Sequence, residues 1–370
     1  MTTDRILTLV SALLLICLLP VNGYSQEQDP DFFIFLAFGQ SNMEGYPGIE
    51  EQDKTGVNSR FRLLPAVDWP DGSRKKGTWT TAVPPLCRSD CGLCPADYFG
   101  RTLVDSLPEN IRVGIVNVSV AGCKIEMFDK DNYQGYIAGE ASWMKNIVNA
   151  YGGNPYGRLV EIAKLAQKDG VIKGILFHQG ESGAMQGNNW AQEVKKVYNN
   201  LIADLDLDAK KTPFIAGDLL SPSGMVQGLP NTLDNSYVVS SQGLQGLDQF
   251  HFTPASYREF GKRYGLKMLE LIDITGVVDD KKGIRQRCND GCGMTTDGRS
   301  SVGFTLRHDS RVMLQAFALN GAEIAVIADG EFSAGRHSVG FGSRLSAGAF
   351  IVRMTSGGFS MNRMVTAAGR

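Results

Sequence analysis

The chain has 370 residues and a net charge of −2, and its composition is 43% hydrophobic and 21% charged. These fractions are typical of a soluble globular protein, and the length allows one large domain or two. The sequence has neither a basic patch nor a charged tail, so it does not favour nucleic-acid binding.

The N-terminus has the features of a secretory signal peptide. Arg5 precedes an apolar run from Ile6 to Val21, and a small-residue exit follows at Gly23–Ser25. The run is shorter than the about 20 residues that a membrane-spanning helix needs, which favours a cleaved signal over an anchor. We therefore expect residues 1–25 to be removed. The mature protein is expected to be secreted or held at the cell surface, with no membrane span.

The first predicted strand ends in a turn that carries a serine. Seven consecutive apolar residues, Phe32–Phe38, indicate a buried strand, and Gly39 permits a sharp turn before Ser41. Open α/β sheets bind their ligands at the carboxyl ends of strands, which is where this serine lies. Ser41 is therefore a candidate nucleophile, although a serine at such a point also commonly caps the following helix.

Residues 46–95 form a long proline-rich insertion after this turn. Long loops in compact domains are often functional, and we interpret Trp69 and Trp79 as candidates for stacking on sugar rings. A loop pinned by disulfides is the alternative interpretation. Six cysteines remain after signal removal, and an even number in an exported chain favours disulfides over a zinc site. They are Cys87, Cys91, Cys94, Cys123, Cys288 and Cys292.

Strands and helices alternate through residues 26–276, which predicts a three-layer α/β domain with a parallel sheet. After the first strand, the predicted strands are Val113–Val120, Val171–Phe177, Pro213–Ala216 and Tyr237–Val239. The predicted helices are Pro95–Leu107, Tyr156–Gln167, Trp190–Leu205 and Ala255–Ile272. Thr253 is a good N-cap for the last helix, so the loop before that helix has a well-specified end.

The composition changes after Gly276. Residues 277–300 are rich in charged residues, Gly and Ser, so we interpret them as a linker, within which Cys288 and Cys292 close a small loop. Residues 301–370 contain short β-like runs separated by glycine turns, a pattern that predicts a small C-terminal β-sandwich domain. The runs are Val302–Leu306, Val312–Ala318, Glu323–Ile327, His337–Phe341, Ala349–Met354 and Phe359–Val365.

The polar residues at the predicted strand ends suit serine chemistry. Hydrolysis by serine needs a base, an acid that orients the base, and donors for the oxyanion. His251 precedes the last helix and has Asp248 three residues upstream, which makes it the best candidate base among the four histidines. Glu181 is an alternative acid, and the residues leave this choice open.

Three groups are candidate donors to the oxyanion. They are the backbone N–H groups of Ser41 and Gly122 and the side-chain amide of Gln179, each at the end of a predicted strand. This chemistry needs neither a cofactor nor a metal, and we expect none.

These residues together resemble the SGNH hydrolase superfamily. The motifs are Gly39-Gln40-Ser41-Asn42-Met43, Gly122, His178-Gln179-Gly180-Glu181-Ser182 and Asp248-x2-His251. Within that superfamily they look most like the sialate O-acetylesterase and carbohydrate esterase family 6 group. The resemblance implies a flavodoxin-like α/β/α fold, deacetylation of acetylated sugars and no metal. By position it makes Ser41 the nucleophile, His251 the base and Asp248 its partner, with Gly122 as an oxyanion donor. The third block departs from the wider superfamily, which has Asn where this chain has Gln179.

The insertion looks like that of acetylxylan esterases from fibre-degrading bacteria. We therefore expect a secreted serine esterase that removes O-acetyl groups from plant polysaccharide, with acetylxylan as the favoured substrate. A sialate O-acetylesterase and a non-catalytic carbohydrate-binding protein are the alternatives. The C-terminal runs resemble the sorting domain of type IX secretion substrates at Ala322–Val326, Gly335-Arg336-His337 and Ala349–Met354. This resemblance implies the secretion machinery as a partner, and a spacer or a sugar-binding appendage is the alternative.

Overall fold

The computed structural model describes most of the predicted α/β region and much of the tail. The predicted signal peptide, 1–25, lies outside the described residues, as do Cys288, Cys292 and all of the predicted linker 277–300 except 294–296. The described residues are 28–46, 48–182, 189–272, 294–296, 301–306, 309–318, 323–341, 348–356 and 359–367.

One seven-stranded sheet forms the centre of the N-terminal region within the described residues. Its order is β3-β2-β4-β1-β5-β6-β7, and neighbours are parallel except for β2 with β3. Without β2 and β3, which the insertion contributes, this is the strand order of flavodoxin-like folds. The strands are β1 (Asp29–Gly39), β2 (Phe61–Leu63), β3 (Thr80–Thr81), β4 (Arg112–Ser119), β5 (Gly170–His178), β6 (Phe214–Gly217) and β7 (Ser236–Val239).

The helices of this region connect the strands. The four predicted helices occur with ends shifted by about one residue, whereas the two helices over residues 133–150 were not predicted. The second of these carries buried apolar residues at helical spacing, Met144 and Val148, so a sequence signal for it was present. The helices are α1 (Ser41–Glu44), α2 (Glu51–Lys54), α3 (Pro95–Ser106), α4 (Tyr133–Gly139), α5 (Ser142–Ala150), α6 (Pro155–Ala166), α7 (Trp190–Asp204), α8 (Gly224–Gln227) and α9 (Pro254–Leu271), with 3-10 turns at Ile125–Phe128 and Leu229–Asn231.

The central strand β1 is apolar throughout because helices cover both of its faces. Its even-numbered residues from Phe32 to Phe38 pack with buried side chains of α5, α6 and α7. Its odd-numbered residues from Phe33 to Ala37 pack with those of α3 and α9. Successive side chains of a strand point to opposite faces, so a strand buried on both sides reads as an unbroken apolar run. The predicted three-layer α/β/α fold is confirmed.

The described part of the tail is built from antiparallel strands. β11, β10, β13 and β14 form one sheet in that order, and β12, β9 and β8 form another. Val302 of β9, Leu314 of β10 and Val352 of β13 share one core, so the two sheets pack together as predicted for a small β domain. The strands are β8 (Met294–Thr296), β9 (Ser301–Leu306), β10 (Ser310–Phe317), β11 (Glu323–Phe332), β12 (Gly335–Gly340), β13 (Gly348–Ser356) and β14 (Phe359–Ala367).

The cysteines correct one expectation. Cys87, Cys91, Cys94 and Cys123 are all free thiols in the structure. Cys87 and Cys123 pack in the core on one face of the sheet and Cys94 in the core on the other, so Cys94 is separated from those two by the sheet. The buried thiols act as small apolar residues rather than as cross-links. The prediction of disulfides is therefore wrong for these four, while Cys288 and Cys292 lie outside the described residues.

Candidate active site

Three strand ends meet at the carboxyl edge of the sheet. Gly39, the last residue of β1, pairs with Ser119 of β4 on one side and His178 of β5 on the other. The segments after these strands carry Ser41, Gly122 and Gln179 respectively. The sheet therefore brings the three predicted strand-end residues to one edge, which is where open α/β folds bind ligands.

Gly39 allows the chain to turn sharply into α1. Its φ is +150°, and a Cβ added here would lie 2.1 Å from the carbonyl oxygen of His178. The next residue, Gln40, donates its N–H to that same oxygen at 2.9 Å, which holds the turn against β5. Gln40 is the N-cap of α1, so Ser41 is the first helical residue rather than the cap.

The side chains of Ser41, His251 and Asp248 form a continuous chain of contacts. His251 Nε2 lies 2.9 Å from Ser41 Oγ, and His251 Nδ1 lies 2.8 Å from Asp248 Oδ2. The other oxygen of Asp248 accepts the backbone N–H groups of Phe250 at 2.7 Å and His251 at 2.8 Å. This carboxylate thus fixes both the ring and the backbone of the histidine.

The same hydrogen bonds keep Asp248 ionised. Loss of water around the carboxyl raises its pKa, but the His251 side chain and the two backbone N–H groups outweigh this and lower the pKa below the usual value.

The loop that carries Asp248 and His251 ends where the sequence predicts, because the Thr253 hydroxyl accepts the Ser256 N–H at 3.3 Å as an N-cap.

Glu181 contacts a different histidine. Its Oε1 lies 3.0 Å from Nε2 of His178 and accepts the side-chain N–H of Asn42. Burial raises the pKa of Glu181, but His178 and these hydrogen bonds outweigh it and lower the pKa. Of the two candidate acids, the one in contact with His251 is therefore Asp248.

Asn42 links this buried pair to the loop of His251. Its side-chain N–H donates to the Phe250 carbonyl at 3.0 Å, and its oxygen accepts the hydroxyl of Tyr257. Asn42 is fully buried, so these contacts are shielded from water. The residue next to the serine thus fixes the position of the histidine loop.

The backbone N–H groups of Ser41 and Gly122 are candidate donors to an oxyanion. Within the described residues, neither N–H has a protein acceptor. Gly122 has a φ of +67°, and its carbonyl accepts the Ser182 hydroxyl at 2.8 Å. Unpaired N–H groups of this kind are the donors from which oxyanion holes are built.

The amide of Gln179 is largely engaged elsewhere. Its Nε2 donates to the Cys123 carbonyl at 3.2 Å, and its Oε1 accepts the indole N–H of Trp190 at 2.5 Å. The side chain is almost fully buried. Gln179 therefore braces the loop that carries Gly122, and only its second amide N–H remains for another acceptor.

Sequence reasoning missed a buried ion pair that joins two parts of the site. Glu44 Oε1 accepts Arg88 Nη1 at 2.8 Å and the Ala121 N–H at 3.0 Å. Arg88 also donates to the Ser119 carbonyl at 3.2 Å. The pair thus ties α1, which begins at Ser41, to the segment that precedes Gly122. The sequence signal that could have revealed this ion pair is Glu44, an acid one helical turn after Ser41.

The two tryptophans of the insertion pack against the core. Trp79 packs on Phe32 with 4.7 Å between the ring centroids, and its indole N–H donates to Asp169 at 2.8 Å. Phe32 lies near the start of β1, at the opposite end of the sheet from Ser41. Trp69 packs on the core beneath the guanidinium of Arg74, which lies 4.3 Å from the ring centroid. Trp79 thus packs far from Ser41, so the sugar-stacking interpretation is wrong for Trp79, while for Trp69 it stays a prediction.

A flavodoxin-like sheet with a serine, a histidine and an aspartate in contact at its carboxyl edge defines the SGNH class of hydrolases. Within that class, the chain belongs to the family described as carbohydrate esterase, sialic acid-specific acetylesterase, whose model matches residues 31–270. The match covers the α/β region that carries every candidate site residue. The protein is accordingly a carbohydrate esterase by family.

Two solved structures are similar to this chain. The crystal structure of NanS is 18% identical over 65% of this chain and 98% of that chain, with a TM-score of 0.47. The structure of XAC1771, a novel carbohydrate acetylesterase from Xanthomonas citri, is 16% identical over 86% of this chain and 74% of that chain, with a TM-score of 0.46.

The part of the chain that the structure describes lacks two kinds of feature. That part contains no helix long and apolar enough to cross a membrane. It also contains no group of three or more His, Cys, Asp or Glu side chains that could hold a metal ion.

The close approach at Gly39 generates a stability prediction. We expect Gly39→Ala to lower the free energy of unfolding by at least about 2 kcal/mol, because the new Cβ meets the His178 carbonyl and the backbone is held at positive φ. Gly135→Ala in α4 is the matched control, since a Cβ there meets nothing within 4 Å. Chemical denaturation measures both, and equal stabilities of the two variants would contradict the prediction.

Proposed function

We propose that this protein is a secreted serine esterase that removes O-acetyl groups from plant polysaccharide, with acetylxylan as its substrate. The observation that carries the proposal is the contact of Ser41 Oγ with His251 Nε2 at 2.9 Å, continued from the ring to Asp248 at 2.8 Å. Two unpaired backbone N–H groups at the same edge of the sheet complete the set that acyl transfer by serine needs.

In the proposed mechanism, Ser41 attacks the acetyl carbonyl while His251 Nε2 takes the hydroxyl proton. Asp248 accepts the Nδ1–H, holds the ring in this tautomer and stabilises the imidazolium. The N–H groups of Ser41 and Gly122 bind the oxyanion of the tetrahedral intermediate. The C–O bond to the sugar then breaks, and His251 gives its proton to the leaving sugar oxygen.

The acetyl group is then carried by Ser41. A water molecule attacks it with His251 again as base, and acetate leaves as the Ser41 oxygen recovers its proton. We assign the triad acid to Asp248 and a positioning role to Glu181, because Glu181 reaches His251 only through Asn42 and the Phe250 carbonyl. Gln179 supports the loop that carries Gly122 through its hydrogen bond to the Cys123 carbonyl. Its second amide N–H is available as a third donor to the oxyanion.

The choice of acetylxylan rests on the insertion, which resembles that of acetylxylan esterases. A sialate O-acetylesterase is the second candidate, supported by the description of the matching family. The two activities share the same chemistry and the same residues. A non-catalytic carbohydrate-binding role is disfavoured, because such a protein has no need to keep Ser41 in contact with an Asp-paired histidine.

We propose that the protein is exported and that its tail serves the export route. The proposal rests on the signal-like segment 1–25 and on the likeness of the C-terminal runs to sorting domains of type IX secretion. The described part of the tail folds as small antiparallel sheets, a form that suits an appended recognition module. Export would bring the enzyme to polysaccharides that are too large to enter a cell.

Replacement of Ser41 tests the proposed reaction. We expect Ser41→Ala to lower kcat for acetate release by on the order of 10^4 or more, because the nucleophile is removed while the fold remains. Acetate is measured from acetylated xylan and from O-acetylated sialic acid, and the faster substrate of the wild type identifies the sugar. Full activity in Ser41→Ala would overturn the mechanism, and a faster rate on sialic acid would overturn the acetylxylan assignment.

Two matched amide variants test the triad acid. Asp248→Asn removes the carboxylate that fixes the His251 tautomer, so we expect kcat to fall by about 10^2 or more. Glu181→Gln alters only the support of the loop, so a fall of less than about tenfold is expected. The reverse ranking in steady-state acetate release would assign the acid to Glu181.

The proposed export can be tested by identifying the first residue of the exported protein. The proposed cleavage after Ser25 predicts that protein recovered outside the producing cells begins at Gln26, because signal peptidase removes the apolar segment. Amino-terminal sequencing checks this start. Recovery of the full-length chain inside the cells alone would contradict the proposal.

A further inference from the structure

Large apolar side chains are exposed at few places on the α/β region. Among the described residues 28–272, the exposed large ones are Tyr46, Trp143, Leu247 and Phe250. All four lie on segments that also carry site residues or touch them, and we call them the apolar collar. Exposed apolar surface concentrated at one place marks a binding site rather than chance exposure.

One side of the collar borders the candidate base. The ring of Tyr46 stacks on the imidazole of His251, with centroids 3.7 Å apart and planes within 12°, and Tyr46 is 53% exposed. Leu247 and Phe250 flank Asp248 and His251 in the same loop. In the proposed mechanism the leaving alcohol receives its proton from His251, so these side chains lie beside the group that protonates it.

The other side of the collar borders the candidate oxyanion donor. Trp143 is 52% exposed, and a Cβ at Gly122 would lie only 2.8 Å from the edge of its indole. Met144 and Val148 of α5 are buried in the core and anchor the helix. The half-exposed indole therefore lies against Gly122, beside the candidate oxyanion donor.

We propose that Trp143 is the stacking surface for a pyranose ring of the substrate, and thus a specificity-determining residue on the alcohol side; this rests on the proposed function. The carbonyl oxygen must reach Gly122 N–H while the alcohol oxygen reaches His251. A sugar ester that meets both conditions lies across the rim between Trp143 and Tyr46. A pyranose ring has an apolar C–H face with polar edges, which matches an indole beside free N–H groups.

The test compares a sugar ester with a small ester in the same protein. Wild-type and Trp143→Ala enzymes are assayed on acetylated xylo-oligosaccharides, on O-acetylated sialic acid and on ethyl acetate, which has no ring to stack. We expect kcat/KM for the preferred sugar ester, divided by that for ethyl acetate, to fall about tenfold, mainly through KM. Trp143→Phe should keep most of this ratio, because an aromatic face remains.

Ile324→Ala is the matched control, since Ile324 is a 45% exposed apolar residue of the β tail, and it should leave the ratio unchanged. Binding is measured separately in a Ser41→Ala background, where calorimetry should show an about tenfold weaker Kd for the preferred sugar ester once Trp143 is replaced by Ala. A ratio and a Kd both within about twofold of the parent protein would overturn this inference while leaving the serine mechanism intact. Acetate release that survives Ser41→Ala would instead overturn the proposed function.

Discussion

The contact between the ends of β1 and β5 sets the geometry of the site. Gly39 approaches the His178 carbonyl so closely that no side chain fits between them, and the Gln40 N–H then bonds to that carbonyl at 2.9 Å. The turn that follows has one path available, and it starts α1 at Ser41. A chain with a Cβ at position 39 would have to move the serine or separate two central strands of the sheet, and each alternative disrupts a close-packed core.

The short helix α1 contacts each of the other parts of the site. Ser41 meets the histidine, Asn42 holds the histidine loop through the Phe250 carbonyl, and Glu44 holds the segment before Gly122 through the Ala121 N–H. All residues of this short helix are buried. The proposed nucleophile, base and oxyanion donor are thus all held by contacts to one short helix. Reacting groups must be held within small tolerances for catalysis, and shared contacts of this kind provide that.

Sequence patterns predicted the parts of the fold that depend on local periodicity and end signals. The apolar run of β1, the long helices and the Thr253 cap are local features. The helices and the cap appear within about a residue of their predicted places, whereas β1 begins three residues before the predicted Phe32. The contact of Asp248 with His251 was anticipated because the two are three residues apart with a capped helix behind them. The contact of Glu181 with His178 was not anticipated. The sequence does not indicate which histidine a side chain in the turn after β5 will reach.

The misses share one physical origin. Whether a cysteine pairs, or a tryptophan faces solvent, is decided by which side of the sheet its segment reaches. Trp79 lies on the insertion yet packs at the far end of β1, and Trp143 lies on an unpredicted helix yet contacts Gly122. Arg88 likewise reaches the site from an irregular stretch with no period to reveal it. Long-range placement of loops is not encoded in any local pattern.

The salt bridge of Arg88 with Glu44 makes the insertion part of the hydrolase scaffold rather than an accessory. Both side chains are less than 10% exposed, at 7% and 9%. An insertion exchanged for one without an arginine would leave a buried carboxylate without a counter-ion, at a cost of about 3–5 kcal/mol. The insertion and the helix that begins at Ser41 are therefore linked in stability through this one ion pair. A replacement for the insertion must place a cation where this guanidinium lies.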